Sequence, residues 1–335
     1  MRDATPTAEF GHPQLPDEQR DALRRAVRLE WVTIGVLTVT ATLMFLVLGS
    51  SQAMRVAWIE DLLSFLPPIA FVVATRVIRR PPTRDHPYGL HRATGIAHLV
   101  AAVALLVMGA YLIVDSGSEL VIAEHPTIGG IEVLGRTVWL GWLMVATLAV
   151  TSVAPVILGR AKLTLSETLH DKVLYADADM NKADWMTGAA AIAGIVGIGV
   201  GWWWADSVAA LLISVSILHD GLRNLRGAVA GLMDRRAKTY DDEAPHPLTD
   251  RIDEHLTALP WVEEARSRVR ELGHVFHVES FVVPREGMTP SLEDLEAARS
   301  ECVDMDWKVQ DMVIVPTAGL PSGFLPGLST SGQDH

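Results

Sequence analysis

Three side chains that could bind a cation lie at helical spacing just before a long apolar segment. Asp177, Met180 and Asp184 occupy positions i, i+3 and i+7, and residues 185–205 follow without a charged residue. On a helix these three positions share one face. Two carboxylates and a thioether on one face could form half of a cation site. The alternative interpretation is a solvated helix end.

A second acidic pair interrupts another apolar segment. Residues 53–75 are long enough to cross a bilayer, but they contain Glu60, Asp61 and the pair Pro67-Pro68. Proline removes a backbone donor and kinks a helix. Buried acids and freed carbonyls in a membrane are tolerated mainly where they face protein or a water-filled cavity. We therefore expect this segment to supply the other half of the cation site.

The composition favours a membrane protein. Of the 335 residues, 49% are hydrophobic and 20% are charged, an apolar excess typical of membrane chains. The formal net charge of −12 argues against a nucleic-acid partner, because a nucleic-acid-binding face is basic. The single cysteine, Cys302, excludes an intramolecular disulfide and a cysteine-based zinc site. We expect no cleavable signal peptide, since charges are frequent in the first thirty residues.

Six apolar segments predict six membrane-spanning helices. Their approximate bounds are 31–49, 53–75, 93–114, 137–159, the segment that contains the acidic stretch, and 205–218. Arginine and lysine concentrate after the second, fourth and sixth of these segments. The positive-inside rule therefore places both chain termini in the cytoplasm of a multi-pass protein.

The chain becomes soluble in character after the sixth segment. Helical and strand patterns follow one another in the order αββαβ, with a hairpin at Gly273 and Ser291 as the N-cap of the second helix. This order predicts a small α+β domain of ferredoxin-like topology. The predicted domains are a cytoplasmic tail (1–27), a six-helix transmembrane domain (28–226), a linker (227–247), the cytoplasmic αββαβ domain (248–316) and a flexible tail (317–335).

This order of elements resembles the cation diffusion facilitator family of metal transporters. The family has six spans followed by a small cytoplasmic αββαβ domain. Local matches occur in the loop after the second span, at both ends of the sixth span and in the C-terminal domain. They are Arg80-Pro81, Asp85-His-Pro-Tyr-Gly89, His91-Arg92, Ala205-Asp206, Leu232-Met-Asp234 and Leu259-Pro-Trp-Val262. The resemblance covers about residues 28 to 316.

The resemblance implies a divalent-metal site between the second and fifth spans. The family takes two ligands, four residues apart, from each span, and four such ligands form a tetrahedral cage. In the second span these positions hold Glu60 and Ser64, and in the fifth span they hold Met180 and Asp184. Ser64 and Met180 both depart from the family pattern. Three neighbouring residues could complete a more oxygen-rich set: Asp61, Asp177 and Asn181.

The same resemblance implies weaker secondary metal sites. His86 fits one metal position in the loop after the second span, whereas His274 and His277 have no evident partners. In the C-terminal domain, the positions that commonly hold metal-binding histidines in the family are occupied in this chain by Arg266, Ser280 and Val315. We therefore expect this domain to dimerise without the usual zinc cluster. Arg92 and Asp234 match a charge pair that the family uses to join its cytoplasmic ends.

The function implied by the resemblance is efflux of a divalent cation in exchange for protons. The transporter would be a homodimer in the lipid bilayer of the cytoplasmic (inner) membrane. Fewer histidine ligands and more oxygen ligands favour Mn²⁺ or Fe²⁺, whereas a thioether ligand favours softer ions, and Zn²⁺, Co²⁺ and Cd²⁺ stay open. No cofactor is expected besides the transported cation.

Two other function classes compete with this one. The altered ligand positions are compatible with a non-transporting metal sensor or partner subunit of the same fold. An intramembrane hydrolase would pair Ser64 with His98 or His219. No G-x-S-x-G motif is present, however, and nothing in the sequence brings such a pair together. We therefore expect no enzymatic activity.

Overall fold

The computed structural model describes residues 15–47, 61–122, 130–133, 136–273 and 275–321. These residues fall into two compact units. The helical unit comprises Gln19–Arg76 and Thr94–Val229, and the mixed unit includes Val77–Ala93 and the chain from Ala230 onward. All the candidate ligands that the structure describes belong to the helical unit.

Long helices dominate the first two thirds of the described chain. They are α1 (Asp17–Val47), α2 (Leu66–Val77), α3 (Ala93–Ile122), α4 (Leu140–Thr151), α5 (Val153–Leu169), α6 (Lys172–Val200) and α7 (Ala205–Leu232). A hairpin of β1 (Gly130–Val133) and β2 (Arg136–Trp139) precedes α4.

Four stretches of the described chain are long and apolar enough to cross a membrane. They are α3, residues Met144–Leu169 of α4 and α5, α6, and residues Ser207–Leu232 of α7. The chain is therefore a helical membrane protein. The first two predicted spans extend into residues 48–60, which lie outside the described residues, so the count of six spans stays a prediction.

The fourth and sixth spans differ from their predicted bounds. Residues 137–139 belong to β2, and the fourth span continues past the predicted end at Gly159 to Leu169. The continuation through Lys162 is possible because this side chain is buried in ion pairs, which offset the cost of a charge among apolar groups. Helix α7 likewise continues beyond residue 218 to Leu232.

The predicted interruption of the second span is confirmed. Residues 61–63 are helical, Ser64 and Phe65 form a turn, and α2 begins at Leu66. Pro68 has no N–H to donate to the carbonyl of Ser64, so the helical hydrogen-bond ladder cannot continue there. The break places Ser64 between two helical segments.

Two glycines allow α3 and α7 to approach closely. A Cβ atom added to Gly109 would lie 2.7 Å from the backbone nitrogen of Leu218, and one added to Gly221 would lie 2.8 Å from Cα of Leu106. Both distances are too short for non-bonded atoms, so a larger residue would separate the helices. Small residues commonly serve this purpose where membrane helices cross.

The mixed unit contains the predicted αββαβ elements. They are α8 (Leu248–Ala258), β3 (Val262–Leu272), β4 (Val275–Pro284), α9 (Leu292–Val303) and β5 (Val309–Pro316). Strand β4 lies in the centre of the sheet, antiparallel to β3 and parallel to β5. Leu256 of α8 and Ala298 of α9 share one apolar core with Phe276 of β4. The predicted N-cap is confirmed, since Ser291 forms a capping box with Asp294. The ferredoxin-like assignment stays a prediction.

The segment that follows α7 is hydrogen-bonded to this sheet. Ala237 is buried, and its N–H donates to the carbonyl of Val269 at 2.8 Å. Arg92 forms an ion pair with Asp234, which confirms the predicted charge pair. Arg270 of β3 lies 3.3 Å from the second oxygen of the same carboxylate. A charged cluster within the mixed unit is thus formed by Arg92, Asp234 and Arg270.

His277 has two carboxylate partners, so the prediction that it lacks partners is wrong. Its Nδ1 lies 2.6 Å from Oδ2 of Asp311, and its Nε2 lies 3.3 Å from Oε1 of Glu279. The hydrogen bond with Asp311 raises the pKa of His277 above its ordinary value. Both ring nitrogens face carboxylates, which favours the charged imidazolium over a metal ligand. His274 lies outside the described residues.

We expect the stability of the C-terminal domain to fall as pH rises through the raised pKa of His277. A raised histidine pKa contributes stability that is complete below the unfolded value of about 6.5 and is lost above the folded value. The contribution should be about 1.5 kcal/mol, the lower end of the range for hydrogen bonds to charged groups. Urea unfolding of the full-length protein in detergent, followed by tryptophan fluorescence at several pH values, measures it.

The variant Asp311→Asn should remove most of this pH dependence, because it removes the charge that holds the imidazolium. Asp304→Asn, which changes an exposed carboxylate of the same domain, is the control and should keep it. An unaltered pH profile in Asp311→Asn would contradict the assignment.

Candidate metal site

The acidic segment of α6, residues 177–184, lies about one turn inside the helix. The carboxylate of Asp171 caps the helix by accepting hydrogen bonds from the N–H groups of Val173 and Leu174. The segment is helical throughout, so Asp179 and Lys182 point away from the face that Asp177 and Asp184 share. The charged side chains therefore meet several different helices.

Asp184 faces the helix break that precedes α2. The hydroxyl of Ser64 donates to Oδ1 of Asp184 at 2.9 Å. Asp61, one turn before Ser64, has a buried Oδ2 that no donor among the described residues reaches. A buried carboxylate oxygen needs a donor or a cation. The structure therefore joins two of the predicted ligands, Ser64 and Asp184, and a third, Asp61, lies one turn away in the chain; all three offer oxygen.

Glu60, the fourth predicted oxygen ligand of this face, lies outside the described residues. Within the part of the chain that the structure does describe, no group of three His, Cys, Asp or Glu side chains has a metal-binding arrangement. The described residues supply two carboxylates and one hydroxyl. Further oxygen donors, such as Glu60 or water, would have to complete the coordination of a divalent cation.

Met180 lies in an apolar cluster. It is 1% exposed and packs with Leu105 and Met108 of α3 and Ile217 of α7. Methionine commonly fills such irregular gaps in a helical core. These surroundings favour packing over metal binding for its thioether, so the fifth span contributes Asp184 as its best candidate ligand.

Asp177 turns away from the helix break and is ion-paired. Nζ of Lys162 lies 2.6 Å from Oδ2 of Asp177 and 3.1 Å from Oε2 of Glu30. The amide of Asn181 donates to the backbone carbonyl of Asp177 at 2.8 Å. Asp177 is only 1% exposed, so it is neither a solvated cavity wall nor close to water. Its charge is already balanced by an internal ammonium.

Asp179 and Lys182 connect the acidic segment to α7. Arg223 lies 3.0 Å from Oδ2 of Asp179, and the amide of Asn224 donates to the same oxygen at 2.8 Å. Lys182 lies 2.8 Å from Oδ2 of Asp220. Each charge of this side thus has an opposite charge as its partner. Asp184 differs, because its described hydrogen-bond partner is a neutral hydroxyl.

His98 lies next to this network. Its Nε2 is 3.4 Å from Oδ1 of Asn224, so a neighbouring side chain accounts for its polarity. His98 is therefore a hydrogen-bonded residue of the bundle. Nothing in this contact links it to Ser64, as a hydrolase would require.

The sequence alone does not identify the residues that pair with the acidic segment. They are Glu30, Lys162, Asp220, Arg223 and Asn224. A partial signal is present, because Lys162 stands between Ala161 and Leu163 and Glu30 directly precedes an apolar run. An isolated charge next to apolar residues of a membrane helix needs a partner, but the sequence does not tell which one it takes.

Comparison with known proteins places these helices in a family. The cation efflux transmembrane domain matches residues 31–233, more than half of the chain. The manganese efflux system protein MneS of Bacillus subtilis is 24% identical over 278 residues, which cover 79% of this chain and 86% of that protein. MneP of the same organism is 22% identical over 267 residues, covering 76% and 82%. The cation-efflux pump FieF of Shewanella oneidensis is 26% identical over 204 residues, covering 61% and 65%.

The family match begins inside α1 and ends just after α7, so it includes every described residue of the candidate site. It also agrees with the four apolar helices and with the resemblance in the loop motifs. The chain therefore belongs to the cation efflux, or cation diffusion facilitator, family.

Proposed function

We propose that this protein exports a divalent metal cation from the cytoplasm across the cytoplasmic membrane in exchange for protons. Family membership supports metal cation efflux, and the names of its relatives describe efflux of manganese or of cations. The cargo would bind between α6 and the helix break before α2. Its principal ligand is Asp184, with Asp61, Ser64 and Glu60 as further candidates.

The contact between Ser64 and Asp184 carries this proposal. It joins two segments that are 120 positions apart in the chain, at the one place where the α2 side is interrupted by proline. Transporters commonly bind ions where a helix is broken, because freed backbone groups and side chains converge there. A carboxylate binds metal only when it is deprotonated. Metal and proton therefore compete for Asp184, which supplies a physical basis for antiport.

The oxygen chemistry of the site favours a hard divalent cation, with Mn²⁺ as the first choice. Carboxylate and hydroxyl oxygens suit Mn²⁺, whereas imidazole and thiolate ligands suit Zn²⁺. The thioether of Met180, the one soft donor among the predicted ligands, lies among apolar side chains. Fe²⁺ is the next candidate, and Zn²⁺, Co²⁺ and Cd²⁺ match the site less well.

We further infer six spans, cytoplasmic termini and a homodimer. The chain is helical on both sides of residues 48–60, where the first two spans are predicted. The loop between α2 and α3 contains Arg79, Arg80 and Arg84, and such loops stay on the cytoplasmic side. The αββαβ domain would then also lie in the cytoplasm and contribute to dimerisation.

A non-transporting sensor or partner subunit is the alternative. The altered positions Ser64 and Met180 motivate it. Among the described residues, however, the buried Oδ2 of Asp61 has no hydrogen-bond partner, which favours transport. A site that had lost its cation would gain stability by replacing such a carboxylate with an apolar residue.

We expect Asp184→Asn to abolish metal flux while the fold is kept. The amide can still accept the hydrogen bond of Ser64, but it lacks the charge that binds the cation. The loss should be at least about 10-fold, since even residues that only support a metal ligand contribute 10–100-fold. Mn²⁺ flux into proteoliposomes with an internal pH probe measures metal and proton movement together.

The control for this experiment is Asp304→Asn, which removes an exposed carboxylate of the C-terminal domain. It should transport like the wild type. Absence of flux for Mn²⁺, Fe²⁺, Zn²⁺, Co²⁺ and Cd²⁺ in folded wild-type protein would refute the transport proposal and favour the sensor or partner subunit.

We expect the double substitution Ser64→Asp with Met180→His to raise the ratio of Zn²⁺ to Mn²⁺ flux. It restores a carboxylate and an imidazole at the two altered positions, and imidazole suits zinc. A tenfold change corresponds to about 1.4 kcal/mol, which is the scale expected for one altered ligand. Met108→His, which puts an imidazole into the same apolar cluster from α3, is the matched control. An equal ratio in the double variant and the wild type would show that these positions do not select the metal.

A further inference from the structure

A second group of buried acids lies in the bundle, and the proposed metal site does not use it. Glu30 of α1 and Asp177 of α6 both face Nζ of Lys162 from α5, at 3.1 and 2.6 Å. The three side chains are 0–1% exposed. Two acidic side chains and one ammonium thus share a centre that water does not reach.

The oxygens of this group are only partly used. Neither carboxylate oxygen of Glu30 accepts a hydrogen bond from the described residues, although Oε2 lies at ion-pair distance from Lys162. The contact has the distance of an ion pair without the alignment of a hydrogen bond. On the other side, Nδ2 of Asn181 lies 3.4 Å from Oδ1 of Asp177. One oxygen of each carboxylate therefore faces the ammonium, and the amide N–H of Asn181 supports Asp177 from the other side.

Such a set of ligands has the chemistry of a divalent-cation site. Carboxylate oxygens in a dry centre are ligands that Ca²⁺, Mg²⁺ and Mn²⁺ prefer. We propose that Glu30 and Asp177 form a second cation-binding site, and that the ammonium of Lys162 occupies it as a tethered cation and excludes a divalent metal. Lys162 is then a specificity-determining residue rather than a simple structural partner.

The ammonium of Lys162 would limit the number of divalent metals that the bundle binds. Asp177 and Asp184 are two helical turns apart on α6, roughly 10 Å along the axis. Without Lys162, the bundle would present two oxygen-rich sites in succession. With Lys162 in place, a divalent metal is confined to the site at Asp184. This last step depends on the proposed function, whereas the cation-binding capacity of the triad does not.

The variant Lys162→Met tests the proposal directly. It keeps the length of the side chain and removes the ammonium, which leaves two buried carboxylates without a counter-charge. We expect the full-length variant in detergent to unfold at a lower temperature than the wild type in a chelator. Mn²⁺ should raise its melting temperature more than that of the wild type, and equilibrium dialysis should show about one additional Mn²⁺ per protomer.

Two further variants test whether the additional Mn²⁺ depends on this site or only on the loss of a positive charge. Lys182→Met makes the same change on α6, at a lysine that is 43% exposed and paired with Asp220, and should gain no additional Mn²⁺. In Lys162→Met with Asp177→Asn, one carboxylate is neutralised, so the additional Mn²⁺ should be lost.

The proposal is overturned if Lys162→Met binds no additional Mn²⁺ and its melting temperature does not respond to the ion. It is also overturned if Lys162→Met fails to fold with Mn²⁺ present while the double variant folds without it, since the site would then reject the cation. Neither result involves flux. A wild-type protein that transports no metal would refute the proposed function and leave the binding test unaffected.

Discussion

A charge inside an apolar helix bundle must be balanced, and the acidic segment of α6 shows how this constraint shapes the protein. Asp177 faces Lys162, Asp179 faces Arg223, and Lys182 faces Asp220. For the fully buried pair of Asp177 and Lys162, leaving either charge without its partner would be far more costly than the net gain from the pair. Asp184 alone among the four charged side chains meets a neutral group as its described partner, the hydroxyl of Ser64. The capacity to bind an external cation is therefore concentrated at Asp184.

The same pairs determine which helices form a common body with α6. Ion pairs connect it to α5 on one side, and through Lys162 of α5 to α1, and to α7 on the other. The α2 side is connected to the acidic segment by a hydrogen bond from a neutral donor to a carboxylate, a contact that contributes about 1.5–3 kcal/mol. Its neighbouring backbone is already interrupted by Pro67 and Pro68. The contact that closes the candidate site is thus a single hydrogen bond, whereas several ion pairs hold α6 in the bundle.

The sequence predicts the helices, the helix break and the strands better than it predicts which side chains contact one another. Apolar length identifies the spanning helices, proline identifies the break at Ser64, and alternation identifies the αββαβ domain, because each depends on residues that are near in the chain. The pairing of Lys162 with Glu30 depends on the packing of three helices, and no local pattern contains it. For the same reason Lys162 is predicted to lie in a loop, since its charge is unfavourable in a helix until its partners are known. The packing of Met180 was equally hidden, because i, i+3 spacing places it beside the acids without showing what surrounds it.

Charge balance also distinguishes the six predicted ligands by their capacity to bind a cation. Asp177 is neutralised by Lys162, Met180 is enclosed by apolar side chains, and Glu60 lies outside the described residues. Asp61 and Asp184 are the two described carboxylates of this set without a basic partner. Together these two side chains can balance one divalent cation or two protons. The proposed exchange of these occupants would avoid the large cost of an unbalanced charge in a low-dielectric bundle. In that proposal the empty, ionised site would be the least favourable state, so each occupant would facilitate the departure of the other.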